Sequence, residues 1–177
     1  MGRSDATLAV VIPCFRVRQQ ILGVLRAIGA EVDLIFVIDD ACPEKSGEFV
    51  ESEVTDPRVK VIYHSENKGV GGAVVTGYSA ALEAGADIVV KLDGDGQMNP
   101  ELIAKIAKPV LEGRADYAKG NSFDSLDSLS SMPKVRIFGN AIISIFSKIS
   151  SGYWSITDPT NGFTAIHRSA LEALRLD

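Results

Sequence analysis

Ile88-Val89-Val90-Lys91-Leu92-Asp93-Gly94-Asp95-Gly96-Gln97 decides the reading of this 177-residue chain. A short run of strand-forming residues from Ile88 to Leu92 empties directly into two carboxylates separated by one glycine. The same grammar recurs on both sides. Upstream, Leu8 to Ile12 is a short apolar run closed by Pro13, and Gln20 to Ile28 follows with helical spacing through Ile21, Leu22, Leu25 and Ile28. Leu34 to Ile38 is a second run and ends in Asp39 and Asp40; Pro43 then suits the first turn of a helix through Phe49 and Val50. Val59 to Tyr63 is a third strand, and a Gly-rich turn from Asn67 to Gly72 leads into a helix from Ala73 to Ala84. Downstream, Pro100 opens a helix to Leu111, Tyr117 to Gly120 is a short fifth strand, and Phe163 to Ile166 is a last apolar run before a helix from Ser169. Strands alternating with helices at this spacing predict βαβ units and an α/β fold with a doubly wound, mostly parallel sheet.

Composition narrows the class. Hydrophobic residues make up 46% and charged residues 23%, and 177 residues suffice to bury the core of one domain. No stretch approaches the ~20 apolar residues of a membrane span. A net charge of -5 argues against nucleic acid as a partner, because neutralising a phosphate backbone takes excess Lys and Arg. Cys14 and Cys42 belong to no cluster with metal-ligand spacing and read as free thiols in a reducing compartment, and the start of the chain carries no signal-peptide pattern. A cytoplasmic location follows from these readings. Asn121 to Met132 is rich in Ser and Asp without an apolar period, which predicts a mobile loop and an active-site flap. After Pro133, the residues Phe138, Ala141, Ile142, Ile145, Phe146 and Ile149 form one stripe of an amphipathic helix.

In open parallel sheets ligands bind beyond the carboxyl ends of the strands, and the unusual residues of this sequence gather there. Pro13, Cys14 and Phe15 follow the first strand, Asp39 and Asp40 the second, Asn67 to Gly72 the third, and Asp93 to Gln97 the fourth, which predicts one shared cleft. Asp93 and Asp95 can face a hard divalent cation, Mg2+ or Mn2+, that keeps positions open for a diphosphate; Gly94 and Gly96 allow the tight turn, and Gln97 supplies a further oxygen. Competing motifs fail on single residues. A calcium loop from Asp93 would place Gly where Met98 stands and Glu where Ala104 stands. A dinucleotide fingerprint belongs after the first strand, whereas Gly69 and Gly71 follow the third and Val74 takes the last position. A Walker loop would need Lys where Tyr78 stands. A response-regulator receiver domain is the other reading, with Asp93 as phosphoacceptor and Lys119 as switch lysine. Against it, the acidic pair here follows the second strand, not the first. His64 and His167 end apolar runs and read as polar strand-end residues, and Tyr153 and Trp154 as packing residues.

Five ordered motifs together resemble the family 2 glycosyltransferases, most closely the polyprenyl-phosphate sugar transferases of the dolichol-phosphate mannose synthase type. They are Val11-Ile12-Pro13-Cys14-Phe15, Ile38-Asp39-Asp40-Ala41-Cys42, the set Asn67, Gly69, Gly71, Ala73 and Gly77, then Asp93, Asp95 and Gln97, and finally Asp158, Gly162 and Phe163. The resemblance runs from Leu8 to the end and implies an N-terminal tail over 1–7 and a catalytic domain over 8–177 that lacks its C-terminal part. It implies a nucleotide-sugar-binding fold, with the nucleotide sugar held by Pro13, Phe15, Asp39, Asp40, Asn67, Gly69, Gly71, Asp93 and Gly94, and the metal by Asp93, Asp95 and Gln97. The implied reaction is inverting transfer of a sugar from a nucleotide-diphosphate sugar to a polyprenyl phosphate, which needs no general base, or to a glycan hydroxyl, for which Asp158 would take the proton. Asp158 also reads as a turn residue before Pro159. Work at the inner membrane face on cell-envelope polysaccharide, a membrane-surface contact and a homo-oligomer belong to the same expectation. A catalytically silent nucleotide-binding module is its alternative. Arg16 and Val17 replace the acidic end of the family's first motif, and Ser122 stands where relatives carry a phosphate-contacting Arg, which leaves Lys119 as the cation at that strand end.

Overall fold

The computed structural model describes residues 6–120 and 162–174. The flap at 121–132, the helix after Pro133, Tyr153, Trp154 and the candidate base Asp158 lie outside the described residues. The chain divides into two compact units, Met1–Ala118 with Phe163–Asp177, and Lys119–Gly162. The first holds the elements that build the site.

In chain order the strands are β1 (Leu8–Cys14), β2 (Leu34–Asp39), β3 (Val59–Tyr63), β4 (Ile88–Lys91), β5 (Tyr117–Lys119) and β6 (Thr164–His167). The helices are α1 (Ile21–Ala27), α2 (Ser46–Glu53), α3 (Gly69–Glu83), α4 (Ile103–Leu111, entered through a 3-10 turn at Pro100–Leu102) and α5 (Arg168–Ala173). The sheet runs β3-β2-β1-β4-β6-β5. β1 pairs in parallel with β2 and β4, β2 pairs in parallel with β3, and β6 runs antiparallel to β4. The expected mostly parallel, doubly wound sheet is therefore present. Its order also removes the receiver-domain reading, because that fold places β1 beside β3.

Both faces of β1 are buried, so its residues divide by the strand period of two. Val10, Ile12 and Cys14 pack with Ile21 and Val24 of α1, Val50 of α2, and Ile103 and Ala107 of α4. Ala9 and Val11 face Ala73 and Ala81 of α3 and Leu171 of α5. Each fully buried Val or Ile contributes about 1.5–3 kcal/mol, so this central strand is the stiffest support available to a site. Two carboxylates fasten its start: Leu8 N donates to Asp33 Oδ2 at 2.9 Å and Thr7 N to Asp87 Oδ2 at 2.7 Å. At the far end of α3, the Arg168 guanidinium donates to the carbonyls of Leu82 and Ala86, which ties the start of α5 to the turn that leaves α3.

Two sequence expectations are corrected. Pro43 does not lie in the first turn of α2, which begins at Ser46; residues 42–45 form a turn in which Lys45 N donates to Cys42 O and Lys45 takes a left-handed φ of 53°. The stretch Gly69 to Gly72 is the first turn of α3, not a loop. Glycine propensity argues for a turn, yet the helix already begins there, and the small residues that let α3 lie close on β1 come later, at Ala73, Gly77 and Ala81. A Cβ built on Gly77 would come within 2.2 Å of Val11 Cγ1.

Candidate functional site

The strand order reverses between β1 and β4, the topological switch point at which open α/β sheets form a crevice. A cleft of about 330 Å³ opens there, inside the range of small-molecule sites. All four strand ends singled out in the sequence reach it: Pro13 and Cys14 at the end of β1 with Phe15 after it, Asp40 after β2, Asn67, Gly69, Val70 and Ala73 around the start of α3, and Asp93, Gly94 and Asp95 after β4. Asp39, Gly71 and Gln97 are not among the residues lining it.

The neighbours Asp39 and Asp40 do different things because successive residues leave a strand on opposite faces. Asp39 accepts from Cys42 N at 2.7 Å through Oδ1 and from Gly47 N at 2.6 Å through Oδ2, so its buried carboxylate holds the turn that enters α2. Asp40 points to the α3 side. Its Oδ1 accepts from Lys68 N at 2.8 Å and meets His64 Nδ1 at 2.7 Å, while its carbonyl accepts from Asn67 Nδ2 at 3.2 Å. Burial works to raise the Asp40 carboxyl, but the bonds from the Lys68 amide and His64 hold it below the usual carboxylate value. Asp40 is thus a fixed anion at the cleft wall. His64 is itself almost fully buried and spends its other nitrogen on Thr76 Oγ1 at 2.8 Å. Its place at the end of an apolar run agrees with a polar strand-end role; the Asp40 and Thr76 partners were not visible from the sequence.

Two elements of opposite charge face the cleft, the first suited to an anionic ligand and the second to a cation. Gly69 and Val70, the first residues of α3, line the cleft, so the amide-rich, partially positive end of a 15-residue helix faces it. Gly69 N donates to Asn67 Oδ1 at 3.1 Å, and a φ of 75° at Gly69 lets the chain turn into the helix. Opposite in chemistry is the Asp93-Gly94-Asp95 loop. Gly94 is pressed against Ile12, Val17 and Ile21, which a Cβ would meet at 3.2–3.3 Å, so the backbone between the two carboxylates lies on the core. Asp95 Oδ1 accepts from Gln97 N at 3.0 Å, and Gly96 takes a left-handed φ of 76°. Asp93 is ion-paired with Lys91, a nearly buried lysine at the end of β4. Among the described residues no group of three or more His, Cys, Asp or Glu is arranged to hold a metal ion. Two hard carboxylates on a rigid turn fit one face of Mg2+ or Mn2+, with the remaining ligands left to water and a diphosphate.

Phe15 is 40% exposed at the cleft mouth with the Arg16 guanidinium 5.4 Å from its ring centre, offering an apolar face to a planar group. Cys14 and Cys42 are free and buried. Burial, then the nearby Asp39 and Cys42, push the Cys14 thiol up to about 12. Burial also opposes ionisation of Cys42, yet the Ser46 hydroxyl and the Arg16 amide bring it below the usual thiol value.

The model of glycosyl transferase family 2 matches residues 9–175. The chain is 29% identical over 185 residues to a UDP-N-acetylglucosamine–dolichyl-phosphate N-acetylglucosaminyltransferase of Methanococcus voltae, covering 97% of this chain and 73% of that one. It is 31% identical over 157 residues to an undecaprenyl-phosphate mannosyltransferase of Micrococcus luteus, covering 88% of this chain and 63% of that one. Among solved structures it is similar to glucosyl-3-phosphoglycerate synthase from Mycobacterium tuberculosis, in complex with Mn2+, uridine diphosphate and glucosyl-3-phosphoglycerate, with a TM-score of 0.73 and 18% identity over 97% of this chain. That likeness concerns the fold. This chain spans 60% of the solved chain's length. Among the described residues no helix is long and apolar enough to cross a membrane.

Proposed function

Because the chain belongs to glycosyl transferase family 2, we propose that residues 8–177 form the donor-binding part of a metal-dependent, inverting glycosyltransferase that moves a sugar from a nucleotide-diphosphate sugar to a polyprenyl phosphate. The observation that carries this reading is one cleft in which a fixed carboxylate, a helix N-terminus and two hard carboxylates converge. The relatives named as dolichyl-phosphate and undecaprenyl-phosphate transferases support the acceptor class. The uridine diphosphate and Mn2+ bound by the solved structure of the same fold support the donor and the cation.

In this reading Asp40 and Phe15 take the nucleoside, one by accepting a hydrogen bond and the other by stacking, and the amides at the start of α3 take diphosphate oxygens. Asp93 and Asp95 would hold Mg2+ or Mn2+, which supplies charge neutralisation to the leaving nucleoside diphosphate. Lys91 holds Asp93 in place from the buried side. The acceptor oxygen attacks the anomeric carbon as the bond to the diphosphate oxygen breaks on the opposite side, so the anomeric configuration inverts. A phosphate acceptor is already anionic and requires no proton transfer. The assigned place of work is the inner face of the membrane, where such an acceptor is presented.

Calorimetric titration of uridine and guanosine diphosphates tests the reading. Binding is expected with Mn2+ or Mg2+ and is expected to weaken at least about tenfold in excess chelator and in Asp93→Asn, because two carboxylates repel a diphosphate unless a cation lies between them. Equal affinity with and without chelator would sink the metal-dependent reading.

A further inference from the structure

His64 is absorbed by neither the proposed chemistry nor the core. Its side chain is only 4% exposed, its Nδ1 meets Asp40 Oδ1 at 2.7 Å and its Nε2 meets Thr76 Oγ1 at 2.8 Å. An ionised carboxylate can only accept, so whichever charge the ring carries, Nδ1 must donate to Asp40. Thr76, held within α3, fixes the ring plane from the other side. The second bond on Asp40 Oδ1, from Lys68 N, falls on the same oxygen. A carboxylate has about four acceptor positions, so capacity remains for a ligand in the cleft that Asp40 lines.

We propose that His64, oriented by Thr76, is a positioning residue that locks Asp40 as a pure acceptor and thereby sets base selectivity: the site takes nucleoside diphosphates whose base presents a ring N–H, as uracil and guanine do, and rejects cytosine and adenine. This rests on the reading of the cleft as a nucleotide-sugar site. The corresponding ring nitrogen of cytosine or adenine carries a lone pair, and two acceptors facing each other in a buried place leave both unpaired. Without the His64 bond, Asp40 keeps its charge and the Lys68 N bond but loses the side-chain donor that fixes its orientation from the other side, so its free acceptor positions are no longer held toward the base. No other titratable side chain is bonded to Asp40 among the described residues.

The experiment compares uridine and cytidine diphosphate, which share every phosphate contact, in the presence of Mn2+ by calorimetry. Wild type is expected to prefer uridine diphosphate by about 10- to 100-fold, the range of a hydrogen bond to a charged group. His64→Leu is expected to bring the two affinities within about threefold of each other, and His64→Asn, whose amide can still donate near the Nδ1 position, to restore most of the preference. A merely structural role would weaken both nucleotides equally. Parallel loss in His64→Leu, or a preference unchanged by it, overturns the proposal. Circular dichroism confirms folding; should His64→Leu not fold, Thr76→Val decides, with a lowered uridine-to-cytidine ratio supporting the proposal and an unchanged ratio overturning it. Absence of any nucleoside diphosphate binding by wild type would instead bring down the nucleotide-sugar reading itself, and this inference with it.

Discussion

Asp39 and Asp40 are adjacent and chemically identical, so exchanging each for Asn separates a structural carboxylate from a ligand-facing one. Asp39 receives two backbone amides, Cys42 N at 2.7 Å and Gly47 N at 2.6 Å, one on each oxygen, and is 3% exposed. Asn keeps one acceptor but turns an NH2 group toward the other amide, and either flip leaves a buried donor facing a donor. Losing one charge-assisted bond and stranding that donor costs about 2–4 kcal/mol. There is no room for relief, because a Cβ on Gly47 would already lie 2.8 Å from Asp39 Oδ2, which shows how close the turn sits. With a urea m-value of about 2 kcal/mol/M, the midpoint of Asp39→Asn falls by about 1–2 M at unchanged m. Asp40→Asn is expected to keep most of its stability and lose uridine diphosphate affinity about tenfold or more. Urea denaturation followed by circular dichroism, run beside nucleotide calorimetry at a temperature where both variants are folded, measures both quantities. An Asp39→Asn protein within about 0.5 kcal/mol of wild type that has lost nucleotide binding would refute the division of roles.

Gly77→Ala inserts a methyl 2.2 Å from Val11 Cγ1, in a contact where Val11 is fully buried; overpacking of about 1–3 kcal/mol opposes the gain of about 1 kcal/mol in helix propensity, for a net loss of up to about 2 kcal/mol. Pairing it with Val11→Ala should recover part of that loss in a double-mutant cycle, and strictly additive effects would contradict the close approach. The Asp40 carboxyl is held below its ordinary value of about 3.9, so its contribution to stability is complete above that pH and disappears as the pH falls through the lower folded value. Wild type should therefore lose its stability advantage over Asp40→Asn as the pH falls below about 4, as read by urea midpoints in the acid range; a difference that stays constant down to about pH 2 would contradict the assignment.

Much of this fold was legible because strands buried on both faces must be apolar throughout, and Leu8 to Ile12, Leu34 to Ile38 and Ile88 to Leu92 carry that mark. The strand ends were legible for the complementary reason: Asp40, Asn67, Asp93 and Asp95 follow runs that leave polar residues nowhere else to go. What escaped was set by long-range packing. Glycines at 69, 71 and 72 read as a turn by propensity, yet they open α3; a Cβ on Gly69 or Gly71 would meet nothing within 4 Å, and the close fit on β1 is made further along, by Gly77 against Val11. His64 meets Asp40 from 24 residues away and Thr76 from 12, and no local spacing announces either pairing. Lys91 did leave a trace, since a lysine inside a buried strand needs a partner, and the strand period places the carboxylate of Asp93 on its own side.

The acidic pair after β2 explains why the cleft and the fold are not separable. Ile35 and Val37 face the α1–α2 layer and Phe36 and Ile38 the α3 layer, so continuing the alternation sends Asp39 toward α2 and Asp40 toward α3. Each carboxylate then binds an amide at the entrance of its own helix, Gly47 N for α2 and Lys68 N for α3. The Asp40 bond fixes the residue directly before the first turn of α3, and that turn supplies the amides assigned to the diphosphate. A ligand that draws on Asp40 therefore acts on the same carboxylate that positions those amides. In the proposed nucleotide-sugar reading, base and diphosphate would be contacted by one connected piece of backbone and so be coupled without any moving part, through the His64 and Lys68 bonds on Asp40.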